Sequence, residues 1–438
     1  MKYLTKTLII SLTILLGFQP LFAQQDTMYF VKQGIVVNKQ AIHATAIDSM
    51  VFYNPGINMP EVTDTIYFTK NGIVVNKQAI DLSIDSVVFY PSPVPNPGVT
   101  VLIDNNSVWN DVNGSEIKAQ GGCIIQDGMT FHWIGPEFEP GYRFIAVNHY
   151  ISSDLKNWEK LAPILTPGSP GMEEISVNAS TWVGRPNILK HAENDYVMWV
   201  ELGKLSTSSY RNRYAVFEAT DIAGPWTFVH QYESLPDRTN TERGLGDLGA
   251  YYDASTGNAY ILYTFDRDQT NGFQSITKLS DDFRSIGSIV AEFRKTQGSC
   301  YEAASIFKRG AKYYYTMSET RGWQPSNTWY RTSDTIGPET GWSTISMAKR
   351  DPYPGTKSYY TQHDFILPVQ GISDTTYIYF GDRWSVYSGN DYGNQTGRQA
   401  WFPLKFDETG IMTICGPDFE GNGGDWLLNV TEGNWSIP

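Results

Sequence analysis

The sequence has few cysteines, few histidines and few charged residues for its length. Three Cys and six His occur among 438 residues, and charged side chains make up 18% of the chain. Because three is an odd number, at most one disulfide can form, and we expect Cys123 and Cys300 to be small buried hydrophobic residues. The His residues show no metal-ligand spacing, so the sequence predicts no metal site and no cofactor.

Basic residues are also in deficit, and long apolar runs are confined to the N-terminus. The formal charge of −13 argues against nucleic acid as a partner. The run from Leu8 to Phe18 follows Lys2 and Lys6 and is too short to span a bilayer, and no Cys follows the small residue Ala23. Residues 1–23 are therefore predicted to be a secretory signal peptide, without a transmembrane segment or lipid anchor. We expect export to the periplasm, the cell surface or the medium.

An internal duplication comes next. Residues 26–53 and 64–90 share the stretch DTMYFVKQGIVVNKQAI, repeated as DTIYFTKNGIVVNKQAI. Each copy predicts a hairpin, turning at Gln33–Gly34 or Asn71–Gly72, and one further strand. So small a unit can hardly bury a core alone, so we expect the copies to pack together as a duplicated β module over residues 24–90, used for attachment or spacing. The alternating prolines of residues 91–98 predict a stiff linker, and residues 99–438 form the next domain.

Five similar units follow the linker, starting near Gly121, Arg185, Asp247, Glu302 and Gln362. Each holds an apolar run, an aromatic-rich strand and a turn rich in Ser, Asp, Gly and Pro, without helical periodicity. A steady period of about 60 residues is typical of a β-propeller, and five units predict an all-β domain of five four-stranded blades. The final stretch GDWLLNV, residues 424–430, is expected to return to the first blade and close the ring.

The first strand of each propeller blade lines the central axis, so Asp247, Glu302 and Gln362 are expected to meet there. Carboxyl and amide groups that converge suit acid-catalysed cleavage of a glycosidic bond. One protonated carboxyl donates to the leaving oxygen, while a second group places water on the opposite face of the sugar. Burial behind Tyr301 could raise the pKa of Glu302 enough for the acid role. Glu302 could equally be a salt-bridged residue that joins two blades.

A series of motifs runs in order through residues 104–438: DVNGSEIKAQGG, RPNIL with YVMWVE, GDLGAYYD with AYILYT, EAASIFK with GWQPS, TQHDFILPV, and GDRW. With these motifs the stretch resembles glycoside hydrolase family 43, five-bladed inverting glycosidases, and within it the branch of exo-β-1,3-galactanases. The resemblance implies that Glu302 is the general acid, that Asp247 tunes its pKa and that Gln362 occupies the base position. The branch lacks the first-blade Asp base of most of the family, and residues Gln120 and Gly121 hold no acid here either.

Two positions depart from the branch, since Gly184 replaces a Glu before Arg-Pro and Gln120 replaces a His before the double Gly. Both would line the pocket floor. The N-terminal copies resemble a short β module common in exported Bacteroidetes proteins.

The remaining sugar-binding candidates are aromatic and basic residues near the motifs. Trp323 and Trp384 are predicted as stacking platforms or core residues. Arg185 and Arg383 could bind sugar hydroxyls or brace Asp247 and Glu302 by charge. Tyr301 and Gln120 complete the predicted set.

The sequence thus predicts an exported, monomeric glycosidase that cleaves a plant-type polysaccharide with inversion, acting from the chain end on β-1,3-galactan or arabinogalactan side chains. Two alternatives stay open: an arabinofuranosidase or xylosidase of the same family, and a propeller that binds carbohydrate without cleaving it.

Overall fold

The structure, a computed structural model, divides the chain into two compact units, Met1–Pro95 and Asn96–Pro438. In the first unit it describes the backbone of six strands. In the second unit it describes residues 100–128, 130–139, 143–172, 183–203, 212–232, 245–265, 272–294, 301–351, 357–384, 399–416 and 424–438. The predicted signal peptide and linker, and Cys300, lie outside the described residues.

The first unit contains two three-stranded sheets. The strands are β1 Gln25–Lys32, β2 Ile35–His43, β3 Ser49–Val51, β4 Thr65–Lys70, β5 Ile73–Ala79 and β6 Ser86–Tyr90. β1 pairs with β2 and β4 with β5, as hairpins, but the third strand of each copy pairs with the hairpin of the other copy: β6 with β1, and β3 with β4. That these sheets form one small duplicated module stays a prediction.

The second unit is built from antiparallel sheets that follow one another along the chain. The first holds β8 Cys123–Asp127, β9 Thr130–Glu139, β10 Arg143–Ser152 and β11 Glu159–Lys160. The second holds β12 Val183–Ala192, β13 Asp195–Leu202, β14 Arg213–Ala219 and β15 Thr227–Tyr232. The third holds β16 Leu245–Asp253, β17 Asn258–Phe265, β18 Phe273–Leu279 and β19 Ile286–Arg294.

The fourth sheet holds β20 Tyr301–Arg309, β21 Lys312–Glu319, β22 Thr328–Ser333 and β23 Ser346–Met347, with a short 3₁₀ helix at Glu339–Gly341. The fifth holds β25 Gln362–Gln370, β26 Thr375–Asp382, β27 Gln399–Phe406 and β28 Met412–Cys415, and β24 Lys349–Asp351 adds a fifth strand parallel to β28. The sixth sheet joins both ends of the unit: β7 Thr100–Ile103, β29 Trp426–Asn429 and β30 Asn434–Ser436.

The prediction of five blades is therefore wrong, since the described residues of the second unit form six sheets and the domain is a six-bladed propeller. Five sheets follow the 60-residue repeat. The sixth combines one strand from the start of the domain with two from its end, so the repeat does not predict it. The closing stretch also pairs differently from the prediction. β29 pairs with β7 in the sixth sheet and not with the first blade. Closure hides sheet edges that would otherwise stay unpaired.

An aromatic core fills the junction where the ring closes. It combines residues of the first, fifth and sixth sheets, among them Trp133, Trp158, Trp401 and Trp426, each at most 2% exposed. Trp109 and Trp401 meet edge to face, with ring centroids 4.6 Å apart. Such aromatic pairs bury large apolar areas, which supplies the packing that the short sixth sheet cannot supply alone.

Cys123 and Cys415 are free and buried. Burial raises the pKa of the Cys123 thiol to about 12 and that of Cys415 to about 11, so both are protonated thiols that pack as small apolar residues.

Candidate active site

Four inner strands carry a β-bulge at the same depth. The pairing of β12, β16, β20 and β25 with the next strand shifts between Gly184 and Asn187, Leu245 and Leu248, Glu302 and Ser305, and His363 and Ile366. A bulge leaves an unpaired residue on one strand and re-aims the side chains around it. The repeated bulge therefore turns side chains of four blades toward one end of the axis.

Two bulge residues have left-handed backbones although neither is Gly. Arg185 has φ 49° and Ala303 has φ 53°. This region costs a non-Gly residue free energy and recurs at functional sites. Arg185 and Ala303 flank the side chains described next.

Arg185 joins two carboxylates from other blades. Its Nη2 lies 3.0 Å from Asp247 Oδ2, and its Nη1 donates to Asp364 Oδ1. Arg185 and Asp364 are buried, with side chains 5% and 7% exposed, while the Asp247 side chain is 17% exposed. Burial alone lowers the pKa of Arg185, but the carboxylates of Asp247 and Asp364 reverse this and raise it. The guanidinium therefore stays charged and ties the second, third and fifth blades together.

Two of the buried acids have raised pKa values, which favour their uncharged forms. Burial raises the pKa of Asp364 to about 6, although Arg185 opposes the rise. Burial and the nearby Asp364 raise the pKa of Asp382 well above its usual range. The backbone N–H of Gly121 donates to Asp382 Oδ2 over 2.8 Å, which links the fifth blade to the chain entering the first. The site therefore concentrates acid groups around a single guanidinium.

Glu302 and Gln362 touch. The Gln362 amide donates through Nε2 to Glu302 Oε1 over 2.8 Å, and the same nitrogen lies 3.4 Å from Ser318 Oγ. Trp384 donates through its indole Nε1 to Gln362 Oε1 over 2.7 Å. Glu302, Gln362 and Trp384 are all buried. The fourth and fifth blades thus share a chain of two hydrogen bonds that ends on a carboxyl group.

The two predicted tryptophan platforms occupy different places. Trp384 is only 3% exposed and lies under Gly121, where an added Cβ would be 3.3 Å from its ring. Trp323 is half-buried and meets Trp384 edge to face, with ring centroids 4.9 Å apart. Of the pair, Trp323 is the one with ring surface open to solvent, as a sugar platform requires.

The side chains of Gln120 and Arg383 hydrogen-bond to backbone carbonyl oxygens where the ring closes. Gln120 Nε2 donates to the Arg383 carbonyl oxygen over 2.9 Å, and Arg383 Nη1 donates to the Asn105 carbonyl oxygen over 2.6 Å. Both side chains are 1% exposed. Their contacts support the junction of the fifth blade with the chain before the first, and their role in sugar binding stays a prediction.

Tyr301 precedes Glu302 at the start of β20 and is half-buried. Its ring meets Trp329 edge to face at 5.8 Å, and its carbonyl oxygen accepts from Thr264 Oγ1 over 2.9 Å. Tyr301 therefore fixes the backbone that presents Glu302.

Sequence reasoning missed three buried acids near the axis. Asp364 lies two residues after Gln362, and Asp382 stands directly opposite Gln362 on β26 and belongs to the GDRW motif. Glu201 stands directly opposite Gly184 on β13, is 2% exposed and accepts from Asn212 Nδ2 over 2.7 Å. Directly opposed residues share a sheet face, so Glu201 borders the position where the branch carries a Glu.

A cavity of about 300 Å³ follows the inner strands away from this cluster. Its lining includes Asn187, Leu248, Ser305 and Asp364, but not Glu302, Gln362 or Asp247. The cavity is therefore the propeller channel beneath the carboxylates, and Asp364 belongs to both.

Within the described ranges, no group of three or more His, Cys, Asp and Glu side chains is arranged to hold a metal ion. The same residues include no helix that is long and apolar enough to cross a membrane.

Comparison with known proteins places this site in a family. The family model for "Glycosyl hydrolases family 43" matches residues 119–409. A search of curated proteins found no match.

Solved structures resemble the second unit over most of its length. An exo-β-1,3-galactanase from Clostridium thermocellum is 24% identical, with a TM-score of 0.65, over 77% of this chain and 68% of its own. An exo-β-1,3-galactanase from Phanerochaete chrysosporium, solved as a Glu-to-Ala variant with β-1,3-galactotriose, is 26% identical, with a TM-score of 0.62, over 77% and 71%. A family 43 β-1,3-galactosidase solved with galactodeoxynojirimycin is 22% identical, with a TM-score of 0.58, over 72% and 98%.

The family model covers well over half of the chain, including every inner strand that supplies the axis carboxylates. The chain belongs to glycosyl hydrolase family 43 and is a glycosidase.

Proposed function

We propose that this glycosidase hydrolyses β-1,3-linked galactan, releasing galactose from the chain end with inversion at the anomeric carbon. The observation that carries the proposal is the contact of Glu302 with Gln362 at the propeller axis, beside Asp247 held by Arg185. Support also comes from the exo-β-1,3-galactanases among the similar structures.

In the proposed mechanism Glu302 supplies the proton. Its carboxyl donates to the glycosidic oxygen while the bond from that oxygen to the anomeric carbon breaks and its electron pair stays on the oxygen. A water oxygen attacks the anomeric carbon from the opposite face and loses a proton to solvent. Asp247, with a side chain 17% exposed next to Arg185, is proposed to raise the proton affinity of Glu302 through space.

Gln362 has to move for this reaction. An inverting pair encloses the sugar and the water at a separation of ~6.5 to 9.5 Å, whereas Gln362 Nε2 and Glu302 Oε1 are 2.8 Å apart. The contact therefore describes the enzyme before substrate enters. Once it opens, the second lone pair of Gln362 Oε1 can accept from the attacking water and orient it.

We propose further that the protein is exported and acts as a monomer. The N-terminal sequence supports export, with a basic start and an apolar run over residues 8–18. Export would bring the enzyme to polysaccharide substrates that cannot enter a cell.

The test is sugar release from a panel of β-1,3-galactan, arabinogalactan, arabinan and xylan. We expect galactose from the first two substrates and none from Glu302→Gln on the same substrates. Arabinose or xylose as the main product would replace the proposal with an arabinofuranosidase or xylosidase. Binding of galactan without release of sugar would identify a carbohydrate-binding propeller.

A further inference from the structure

The role of Trp384 follows from its hydrogen bond and not from its ring face. Its indole N–H lies 2.7 Å from Gln362 Oε1, and the side chain is 3% exposed. A buried ring with its N–H engaged offers little surface to a sugar. The hydrogen bond gives it a direct contact with Gln362, through which it can act on the site.

An indole nitrogen can only donate a hydrogen bond. The atom of Gln362 that faces Trp384 must therefore be the amide oxygen, and the amide NH₂ is left facing Glu302, 2.8 Å away. The two ends of an amide look alike by shape alone, so this chemical argument assigns its orientation. Trp384 thereby determines which group Glu302 meets.

We propose that Trp384 is a positioning residue: in the enzyme before substrate enters, it holds the Gln362 amide with its N–H toward Glu302 Oε1, so that the catalytic proton lies on Glu302 Oε2 when substrate arrives. An N–H donor prefers the carbonyl-type oxygen of a protonated carboxyl, so the proton resides on the other oxygen. A flipped amide would present its own carbonyl oxygen and accept that proton in a hydrogen bond, which would hold it away from the glycosidic oxygen.

The indole is well fixed for this task. Trp323 and Trp384 meet edge to face with ring centroids 4.9 Å apart, and Gly121, with φ 64°, leaves room for the Trp384 ring, since an added Cβ would lie 3.3 Å from it. Gly121 also donates its N–H to Asp382. The backbone at Gly121 and the ring of Trp323 thus hold the Trp384 indole N–H within hydrogen-bonding distance of Gln362.

The orientation also sets the proton affinity of Glu302. A hydrogen bond donated to a carboxylate favours its charged form, whereas a carbonyl oxygen that accepts from the carboxyl favours its neutral form. The other titratable and charged groups that interact at this end of the axis are Arg185, Glu201, Asp247, His363, Asp364 and Asp382. Burial lowers the pKa of His363 to about 3, so His363 is neutral at working pH.

The first experiment is a double-mutant cycle on the full-length enzyme with β-1,3-galactobiose. Trp384→Phe keeps a ring but removes the N–H, and we expect kcat to fall about 5- to 10-fold with KM little changed, the value of one neutral hydrogen bond. In the Gln362→Ala background the same change should cost less than about twofold, because Trp384 acts through Gln362. An equal loss in both backgrounds would show a packing role and overturn the inference.

Trp342→Phe is the matched control. Trp342 is also buried, at 7% exposure, and its indole N–H donates to the Gly337 carbonyl oxygen over 3.0 Å near the outer strand of the fourth blade. The Trp342→Phe variant also loses an indole N–H, but away from the axis, so its kcat should match that of the wild type. If Trp384→Phe does not fold, replacement of Trp384 by benzothienylalanine keeps the shape and exchanges N–H for sulfur.

The second experiment needs no substrate, so it separates this inference from the proposed function on which the kinetic test rests. Carboxyl ¹³C NMR, with Glu302 assigned by its absence in Glu302→Gln, should give a Glu302 pKa about half a unit to one unit higher in Trp384→Phe than in the wild type. No shift, or a downward shift, overturns the inference even if galactan is cleaved. An upward shift in an enzyme that fails on galactan would leave the inference standing and reject only the substrate.

Discussion

The two halves of the axis hold their carboxyl groups by different means. Asp247 of the third blade and Asp364 of the fifth blade are paired with the Arg185 guanidinium of the second blade. On the side of the fourth and fifth blades, Glu302 meets the neutral amide of Gln362. The Arg185 guanidinium opposes the rise in pKa that burial causes at Asp364, whereas the neutral amide beside Glu302 lets that group take up and release a proton. The same bulge in neighbouring inner strands thus places ion pairs at Arg185 and a neutral contact at Glu302.

The largest expected effect is at Glu302. A general acid contributes ~10² to 10⁴ in rate, and least with a leaving group that needs no protonation. Glu302→Gln should therefore slow β-1,3-galactobiose cleavage by that range but slow an aryl galactoside with an acidic phenol far less, as measured by kcat/KM for each. Asp247→Asn, which lowers the proton affinity of Glu302 but keeps the proton donor, is the comparison and should show the same preference for the aryl substrate to a smaller degree.

Equal losses on the two substrates in Glu302→Gln would assign the proton to another group. NMR of early product checks the stereochemistry, and retention of configuration would require a nucleophile that the proposed mechanism lacks.

We expect the ion pairs of Arg185 to contribute more to the free energy of unfolding than the contact of Glu302 with Gln362. Arg185→Met leaves the carboxyls of Asp247 and Asp364 without their partner in a buried site, which costs about 3 to 5 kcal/mol for a buried pair. Lys190→Met is the control, since its 2.8 Å bridge to Asp127 joins side chains 30% and 27% exposed and should cost about 0 to 1 kcal/mol. Thermal unfolding by calorimetry compares them, and similar shifts in Tm would contradict the contrast between buried and exposed pairs.

The repeat reveals part of this site and conceals the rest. Asp247, Glu302 and Gln362 stand at the starts of repeated units, so aligning the units predicts that they lie near the axis. Asp364 reaches Arg185 through the bulge after His363, and a register shift of this kind leaves no mark in the pattern of apolar residues. The direction of the Trp384 indole is likewise set by packing on Trp323 and Gly121, which the sequence places far apart.

The fold, like the site, is only partly predictable from the sequence repeat. Each of the five units contains the aromatic-rich strand that the repeat predicts, namely β9, β13, β17, β21 and β26. The sixth blade is invisible to the repeat because its strands come from opposite ends of the domain, and their pairing depends on the shared aromatic core.

A smaller effect is expected when Asp364 titrates. Its pKa is raised from 3.8 to about 6, so the folded protein holds this proton more tightly than the unfolded chain does. The contribution of Asp364 to the free energy of unfolding is therefore full below pH 4, falls as the pH rises from about 4 to 6, and stays low above that. Asp364→Asn removes this dependence, so its Tm should improve relative to wild type across that window.

Asp127→Asn is the comparison variant, for which we expect the opposite pH dependence of Tm. Burial alone would raise the pKa of Asp127, but hydrogen bonds from Lys190 and Tyr196 outweigh it and lower the pKa. Asp127 thus stabilises the fold above its unfolded pKa, and Asp127→Asn should lose Tm relative to wild type as the pH rises. Parallel pH profiles for the two variants would contradict the assignment of Asp364 to a buried, proton-retaining position.

The smallest effect is expected outside the axis altogether. Every residue assigned to the site lies in the unit Asn96–Pro438, and the strands before it form separate sheets. Deleting residues 24–97 should therefore leave kcat on a small aryl galactoside within about twofold of the full chain, as expected for domains with separate cores. A folded truncation that loses far more would show that the duplicated strands contribute to the site. A loss confined to insoluble galactan, with the aryl substrate unchanged, would instead assign them to attachment, because only the polymer depends on where the enzyme is held.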